Sequence, residues 1–459
     1  MSIPRERVPK DDFRELRLVA IDRKDGVDGW KSSGRLEAAI GTYEKQLRSE
    51  GAIDFDDSVR LSAFMLEQHA FARRCLQAKF PYLLIDEYQD LGVALHRIAI
   101  ALGFPSGSML FAVGDPDQSI YKFNGSRPGL LKELAARPDV QRVELRVNYR
   151  SARRIILASH ALLDGERPAP ISSVDGTVQI MEFNAPIERQ ASALATELVP
   201  AELRRGIPAG EIAVLYPSKY EGKVINDAME AAHIPVLQLD RAGAFSRAPT
   251  SVFARTAMNW CTNWKEQPGH LGRILDEAAR RFPATDATSR AEFRSNFCEF
   301  LMKNRESEVL VETWIADLEK VLPEKTASKD IDILRSIAAY ARPKKLTMSQ
   351  IASPVRSSHH VKLMNLHTSK GTEHMVVFIA GCEEGRLPNF RKTEQDDIDE
   401  QRRLLFVGTT RAKVKLVLLF SKTKWINDKQ VPARASRFLK QIETAMGADV
   451  DLLTDDPAG

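Results

Sequence analysis

Two short apolar runs, each stopping abruptly in a polar cluster, constrain this chain more than any other feature. Tyr82-Leu83-Leu84-Ile85 ends in Asp86-Glu87-Tyr88-Gln89-Asp90, and Met109 to Val113 ends in a loop from Gly114 to Gly125 that holds Asp115, Asp117, Gln118, Tyr121 and Phe123. Apolar runs of this length bounded by turn signals read as buried strands, and the two read as neighbours in a parallel sheet. In such sheets ligands sit at the carboxyl ends of the strands. An Asp-Glu pair there suits a site that hydrolyses a nucleotide. The first carboxylate holds magnesium, directly or through water, and the second positions the attacking water. The plain alternative is that Asp86 and Glu87 cap the next helix. One such strand leaves the two readings level; the second cluster favours the site.

At 459 residues the chain is too long for a single core, so two or three domains are expected. A net charge of +4 neither demands nor excludes a polyanionic partner. The four cysteines, Cys75, Cys261, Cys298 and Cys382, lie far apart, which argues against a zinc or iron–sulfur site and for reduced thiols. Met1 to Arg17 is charged and lacks the apolar centre of a signal peptide, and no apolar run approaches membrane-spanning length. The expectation is a soluble, cytoplasmic protein with no membrane partner.

The pattern of elements divides the chain further. Leu36, Ile40, Tyr43 and Leu47 recur at helical spacing up to Gly51. Asp54-Phe55-Asp56-Asp57 offers caps for a helix with Leu61, Phe64, Met65, Ala72, Cys75 and Leu76 on its inner face. Helices near 92–102 and 128–136 alternate with the two strands. A further strand is expected at Val140–Leu145, then a helix capped by Ser151. A Pro/Gly/Ser-rich break spans 164–176. A second α/β rhythm follows, with strands at 177–183, 211–216, 361–367, 375–380 and 414–420. It is interrupted over 250–345 by amphipathic helices alone. The acidic tail, with Asp449, Asp451, Asp455 and Asp456, reads as a frayed end.

Three more clusters matter. Asn148-Tyr149-Arg150 follows the strand expected at 140–145, where Arg150 would reach a phosphate; alone it reads as a solvated arginine at a helix start. Leu363-Met364-Asn365-Leu366-His367-Thr368-Ser369-Lys370-Gly371-Thr372-Glu373 places hydroxyls, a histidine, a lysine and a glycine at a strand-to-helix turn. That suits phosphate or nucleic-acid backbone contacts, though alone it is an ordinary polar turn. Glu400 to Lys413 is an amphipathic helix with a basic end. Arg411 there has the placing of an arginine finger, or simply of a cation favoured at a helix C-terminus. Tyr121 and Phe123 would stack on single-stranded bases or fill core, with the polar loop around them favouring the former.

Taken in order, 86–90, 114–125, 148–151, 363–374 and 400–413 resemble the later signature boxes of UvrD/Rep-type superfamily-1 DNA helicases. Asp54–Asp57 and Ser436-Arg437-Phe438-Leu439 resemble flanking family features. The resemblance covers about residues 35 to 445. It implies an α/β fold of two RecA-like P-loop NTPase-type domains with an all-helical insertion in the second. The expected layout is 1–80 as lead-in and residual helical insert, 81–165 as the first RecA-like domain, 166–249 and 351–447 as the second, 250–350 as its insert, and 448–459 as the tail. The implied activity is ATP-driven movement 3′ to 5′ along single-stranded or partly duplex DNA, in DNA repair or a related task. The implied cofactors are ATP and Mg2+. In this picture Asp86 binds magnesium and Glu87 is the catalytic base. Gln118 and Arg150 sense the terminal phosphate, Glu373 meets the ribose and Arg411 is the finger. Tyr121, Phe123, His367, Ser369 and Lys370 serve the DNA. Asp86, Gln118, Arg150 and Arg411 are thus expected to meet at one nucleotide.

The sequence departs from the family's pattern in one large respect. The family opens with a G-x-x-x-x-G-K-[ST] phosphate loop, and none occurs here: Glu221-Gly222-Lys223 and Ser369-Lys370-Gly371 lack the preceding glycine. The expectation is a form whose first domain is truncated at its N-terminus, with an open apolar strand edge, inactive alone and paired with a separate chain that supplies the loop, or with a nuclease. The alternative is a non-catalytic single-strand-binding or regulatory subunit. Smaller departures are Asn365 where the family usually has Thr, and Thr372 and His374 where it usually has apolar residues.

Overall fold

The computed structural model describes Tyr43 and residues 45–455, apart from 105–106, 122–124, 146, 166–168, 171, 173, 240–247, 266–267, 306–307, 353–358, 392 and 427–428. Most of the helix expected from Leu36 to Leu47 therefore lies outside the described residues. The chain forms two compact units, Met1–Arg146 with Thr393–Phe406, and Val147–Lys392 with Val407–Gly459. The expected boundary near 165 sits about twenty residues later. The reason is local: the segment after Arg146 is stitched to the second unit. The Ala152 amide donates to Lys413 O, and the Arg153 and Arg154 amides donate to Val174 O and Asp175 O.

In the first unit, β1 (Tyr82–Ile85) and β2 (Met109–Ala112) pair in parallel, with Tyr82 opposite Met109 and Leu84 opposite Phe111. Side chains alternate across a strand. Leu83, Ile85, Leu110 and Ala112 therefore share one face and pack on Tyr88, Ala99, Leu130 and Leu134. Tyr82, Leu84, Met109 and Phe111 share the other face, and it is bare: Leu84 is 73% and Phe111 61% exposed. Parallel sheets are normally covered on both sides.

The strand expected at Val140–Leu145 does not form; 141–145 has no regular structure and Leu145 is 91% exposed. A strand exists through a neighbour's hydrogen bonds, and among the described residues β1 and β2 pair only with each other. Asp54 does cap the helix Phe55–Gln68, accepting the Asp57 amide at 2.7 Å. The inner face differs from the expected one. A break at His69 starts a second helix, Ala70–Lys79, and Ala63 and Leu66 are buried while Leu61, Phe64, Met65 and Cys75 are exposed.

The second unit is built on a seven-stranded sheet of order β11-β3-β8-β7-β4-β6-β5. Its strands are β3 (Thr177–Phe183), β4 (Ile212–Tyr216), β5 (Val236–Gln238), β6 (Val361–Asn365), β7 (His374–Ile379), β8 (Ala412–Ser421) and β11 (Asp451–Thr454). Every pairing is parallel. All five residues of β4 are buried, as a central parallel strand requires. An antiparallel pair, β9 (Thr423–Ile426) and β10 (Lys429–Pro432), extends from the end of β8. The helical stretch within this unit has its own core around Phe253, Phe282, Phe297, Phe300 and Trp314.

The tail is not frayed where it is described. Asp451–Thr454 adds to the edge of the sheet beside β3, and Asp449 pairs with Arg153 while Asp455 pairs with Arg189. Asp449 and Asp455 are thus each tied to an arginine of the second unit. Ser151 is not the helix cap either. Its hydroxyl donates to Ala412 O, and the helix starts at Arg153 behind Ala152.

Candidate functional site

In the first unit the two strand ends are joined by one hydrogen-bonded chain. Asp86 is exposed, and its Oδ1 accepts the Glu87 amide at 2.9 Å. Glu87 sits in the left-handed region, φ 54 and ψ 43, which costs a side-chain-bearing residue about 1 kcal/mol. That turn is held by Gln89, which is fully buried. Its Nε2 donates to Glu87 Oε2 at 2.5 Å, and its Oε1 accepts the Asp115 amide at 2.9 Å. Asp115 Oδ2 in turn accepts Gln118 Nε2 at 2.8 Å. The loop is anchored further by Ser119, whose Oγ donates to Gln89 O and whose O accepts Arg403 Nε at 2.9 Å. Behind the cluster, burial pushes the Tyr88 phenol up to about 12, and its hydroxyl meets His96 Nδ1 at 2.7 Å.

In the second unit a carboxylate is gripped by two cations. Arg150 Nε donates to Glu373 Oε2 at 2.7 Å and Lys413 Nζ to Oε1 at 3.1 Å. Lys413 first, and then Arg150, hold the Glu373 carboxyl below the usual carboxylate range. Arg150 is presented by an Asx turn in which Asn148 Oδ1 accepts its amide at 2.9 Å. Arg411 lies differently. It is 2% exposed, and its guanidinium donates to Val407 O at 2.9 Å, Thr372 O at 3.1 Å and Thr410 Oγ1 at 2.9 Å. The turn after β6 is also tied inward. Asn365 Oδ1 accepts the Thr368 amide at 2.8 Å, Ser369 Oγ donates to Leu366 O at 2.7 Å, and Gly371 takes φ 81. Burial lowers the His367 imidazole below its ordinary value.

Two family models match the chain. One is the UvrD/REP helicase N-terminal domain over residues 16–139, and the other is the UvrD-like helicase C-terminal domain over 294–423. They are the two halves of one family, in the right order, and together they span more than half of the chain. This chain belongs to the UvrD-like helicase family. It is 26% identical to the ATP-dependent DNA helicase Rep of Escherichia coli, over 88% of this chain and 69% of Rep. It is 24% identical to the putative ATP-dependent DNA helicase YjcD of Bacillus subtilis, over 95% of this chain and 61% of YjcD. The ATP-dependent DNA helicase PcrA of Staphylococcus epidermidis is 25% identical over 87% of this chain and 63% of its own length. The parallel sheets agree with the two-domain RecA-type architecture of UvrD-like helicases.

Of the residues expected to act, this UvrD-like chain brings Asp86, Glu87 and Gln118 together in one unit and Arg150 with Glu373 in the other. Arg411 and Ser369 are turned into the fold, His367, Lys370 and Tyr121 are half-buried, and Phe123 lies outside the described residues. Sequence reasoning missed Gln89 and Lys413 as the groups that position Glu87 and Glu373. It also missed a surface at the end of β7 and β8. Phe390 is 69% exposed with the Arg391 guanidinium 5.4 Å from its ring, and Trp425 is exposed on β9 next to Lys424. The signal was present as two aromatic–basic runs, Phe390-Arg391-Lys392 and Lys422-Thr423-Lys424-Trp425. No helix among the described residues is long and apolar enough to cross a membrane.

Proposed function

We propose that this chain acts as an ATP-dependent DNA translocase or helicase of the UvrD type, moving 3′ to 5′ on a single strand. The observation that carries this reading is the chain of hydrogen bonds from Glu87 through Gln89 and Asp115 to Gln118, at the ends of two parallel strands. A surface that only binds DNA gains nothing from a carboxylate wired in strained geometry to a glutamine on the next loop. Glu87 would orient the attacking water and Gln118 would report on the terminal phosphate. Arg150 would exchange Glu373 for a nucleotide phosphate, freeing Glu373 for a ribose while Lys413 keeps hold of it. Asp86 fits magnesium as one ligand: its carboxylate is exposed and, among the described residues, only Oδ1 is engaged. The ion, arriving with the nucleotide, would offset phosphate charge. Tyr121, Phe123, His367, Lys370 and the surface of Phe390, Arg391, Lys424 and Trp425 would carry the strand, by stacking and by phosphate contact.

A second reading, a non-catalytic single-strand-binding subunit, is favoured by Arg411. A finger must reach a phosphate, and here all three of its donor nitrogens face the protein's own oxygens. A partner chain would, in this reading, cover the bare face of β1–β2. The two readings separate on coupling. Oligothymidylate affinity is measured with and without millimolar Mg2+ and a non-hydrolysable ATP analogue. The helicase reading expects the nucleotide to shift the affinity and Arg150→Met to abolish that shift. Identical affinities, with and without nucleotide, leave only the binding subunit.

A further inference from the structure

Glu383 stands on the turn after β7 and is 1% exposed, a costly place for a carboxylate. Its Oε1 accepts Gln190 Nε2 at 2.7 Å and the Ser421 amide at 2.8 Å. Its Oε2 has no hydrogen-bond partner among the described residues, with Arg386 Nε 3.5 Å away. Arg386 is shared with a second buried carboxylate, Glu221, at 2.8 Å. Burial raises the Glu383 carboxyl, opposed by Arg386. None of the roles assigned above uses this group.

What it holds is specific. Its own carbonyl accepts the amides of Arg386 at 3.0 Å and Leu387 at 2.9 Å, closing the turn that leads to Phe390 and Arg391. Phe390 donates its amide back to Gly385 O at 3.0 Å. Its side chain seizes Ser421, the last residue of β8, one residue before the hairpin that carries Lys424 and Trp425. Gln190 reinforces the same junction, donating to Ser421 Oγ at 2.7 Å and accepting the Gly381 amide at 3.0 Å. The two elements also approach at Gly385, where a Cβ would lie 3.3 Å from Lys424 Nζ.

We infer that Glu383 is the positioning residue of the aromatic–basic surface: one buried carboxylate locks the turn 383–391 to the β8–β9 junction and sets the spacing of Phe390 and Arg391 from Lys424 and Trp425. Stacking bases need that spacing fixed, because a strand of nucleotides offers its rings and phosphates at set intervals. The inference rests on the reading of this surface as a single-strand site.

The test is binding of a fluorescein-labelled oligothymidylate to the full chain across a salt series. Glu383→Ala removes the lock. Its affinity should fall about tenfold, and the slope of log K against log salt should become shallower by about 0.7, one lost phosphate contact on a single strand. Glu383→Gln keeps an acceptor for Gln190 and Ser421 and should bind like the wild type, a rescue that a purely electrostatic role would not give. If Glu383→Ala does not fold, Gln190→Leu takes its place, with the same loss expected. Wild-type affinity and slope in Glu383→Ala or Gln190→Leu, beside weakened Phe390→Ala and Arg391→Ala, overturn the positioning role and leave the surface standing. A Glu383→Gln protein as weak as Glu383→Ala also overturns it. Unchanged binding in both Phe390→Ala and Arg391→Ala removes the surface itself, and the inference with it.

Discussion

Gly114 has no room for a methyl group. A Cβ there would lie 2.5 Å from Gln89 Oε1 and 3.1 Å from the Tyr88 amide nitrogen. Gly114→Ala is therefore expected to cost about 1–3 kcal/mol in a denaturant titration by overpacking. It should also speed hydrogen exchange at the Asp115 amide, because Gln89 must leave it. Glu373 offers a second test at this scale. Lys413 is its stronger partner, so Lys413→Met should move the Glu373 titration up towards the ordinary carboxylate range, and by more than Arg150→Met does, in side-chain carboxylate NMR. The sign follows from the lowered folded value. The pair stabilises the protein above the unfolded-state value and is lost as pH falls through the folded one, so Lys413→Met narrows that window. Both groups lie in boxes that the sequence displayed. Their partners were hidden because Gln89 and Lys413 act through side-chain direction, which spacing alone does not carry.

Among the elements, the parallel strands β4, β6, β7 and β8 were legible because burial on both faces makes each a largely apolar run, and β3 because the buried Val178, Ile180 and Phe183 punctuate it. β5 has three residues, too few to stand out. β11 is Asp-Leu-Leu-Thr, and its strand state depends on β3 and on arginines more than 250 residues away in the chain. Val140–Leu145 had the right composition and, among the described residues, no neighbour to pair with. The amino ends of the sheet carry a pH liability. Burial pushes His374, at the start of β7, and His360, just before β6, each down to about 4. A histidine lowered in the folded state is protonated more readily on unfolding. Stability should thus hold above about pH 6.5 and fall steadily towards pH 4. His374→Leu should flatten that fall in chemical denaturation. The bare face of β1–β2 makes a separate prediction. Leu84→Lys and Phe111→Glu should reduce binding of a hydrophobic dye and self-association, with stability changed by about 0.5 kcal/mol or less, because neither side chain packs on a core.

At the scale of the whole molecule, the order of the boxes along the chain was enough to reveal the family, since each box lies at the end of a strand or at one end of a helix of the same α/β plan. Which side chains face a ligand was less legible. Arg411 ends a helix in the right place, yet its direction is set by Thr372 O, 39 residues earlier in the chain. The exposed aromatics Phe390 and Trp425 lie on two turns far apart in the chain, and Glu383 on the first turn bonds Ser421 just before the second. The central claim is that this UvrD-like chain holds a single DNA strand on stacked aromatics and basic side chains. It is tested most directly by titrating the full chain with oligothymidylate over a range of salt, wild type beside Trp425→Ala. The account predicts binding whose log K falls linearly with log salt, and a loss of about 1–3 kcal/mol in Trp425→Ala from one forfeited stack. A chain that leaves the oligonucleotide unbound at low salt, or that binds it equally well without Trp425, contradicts the account.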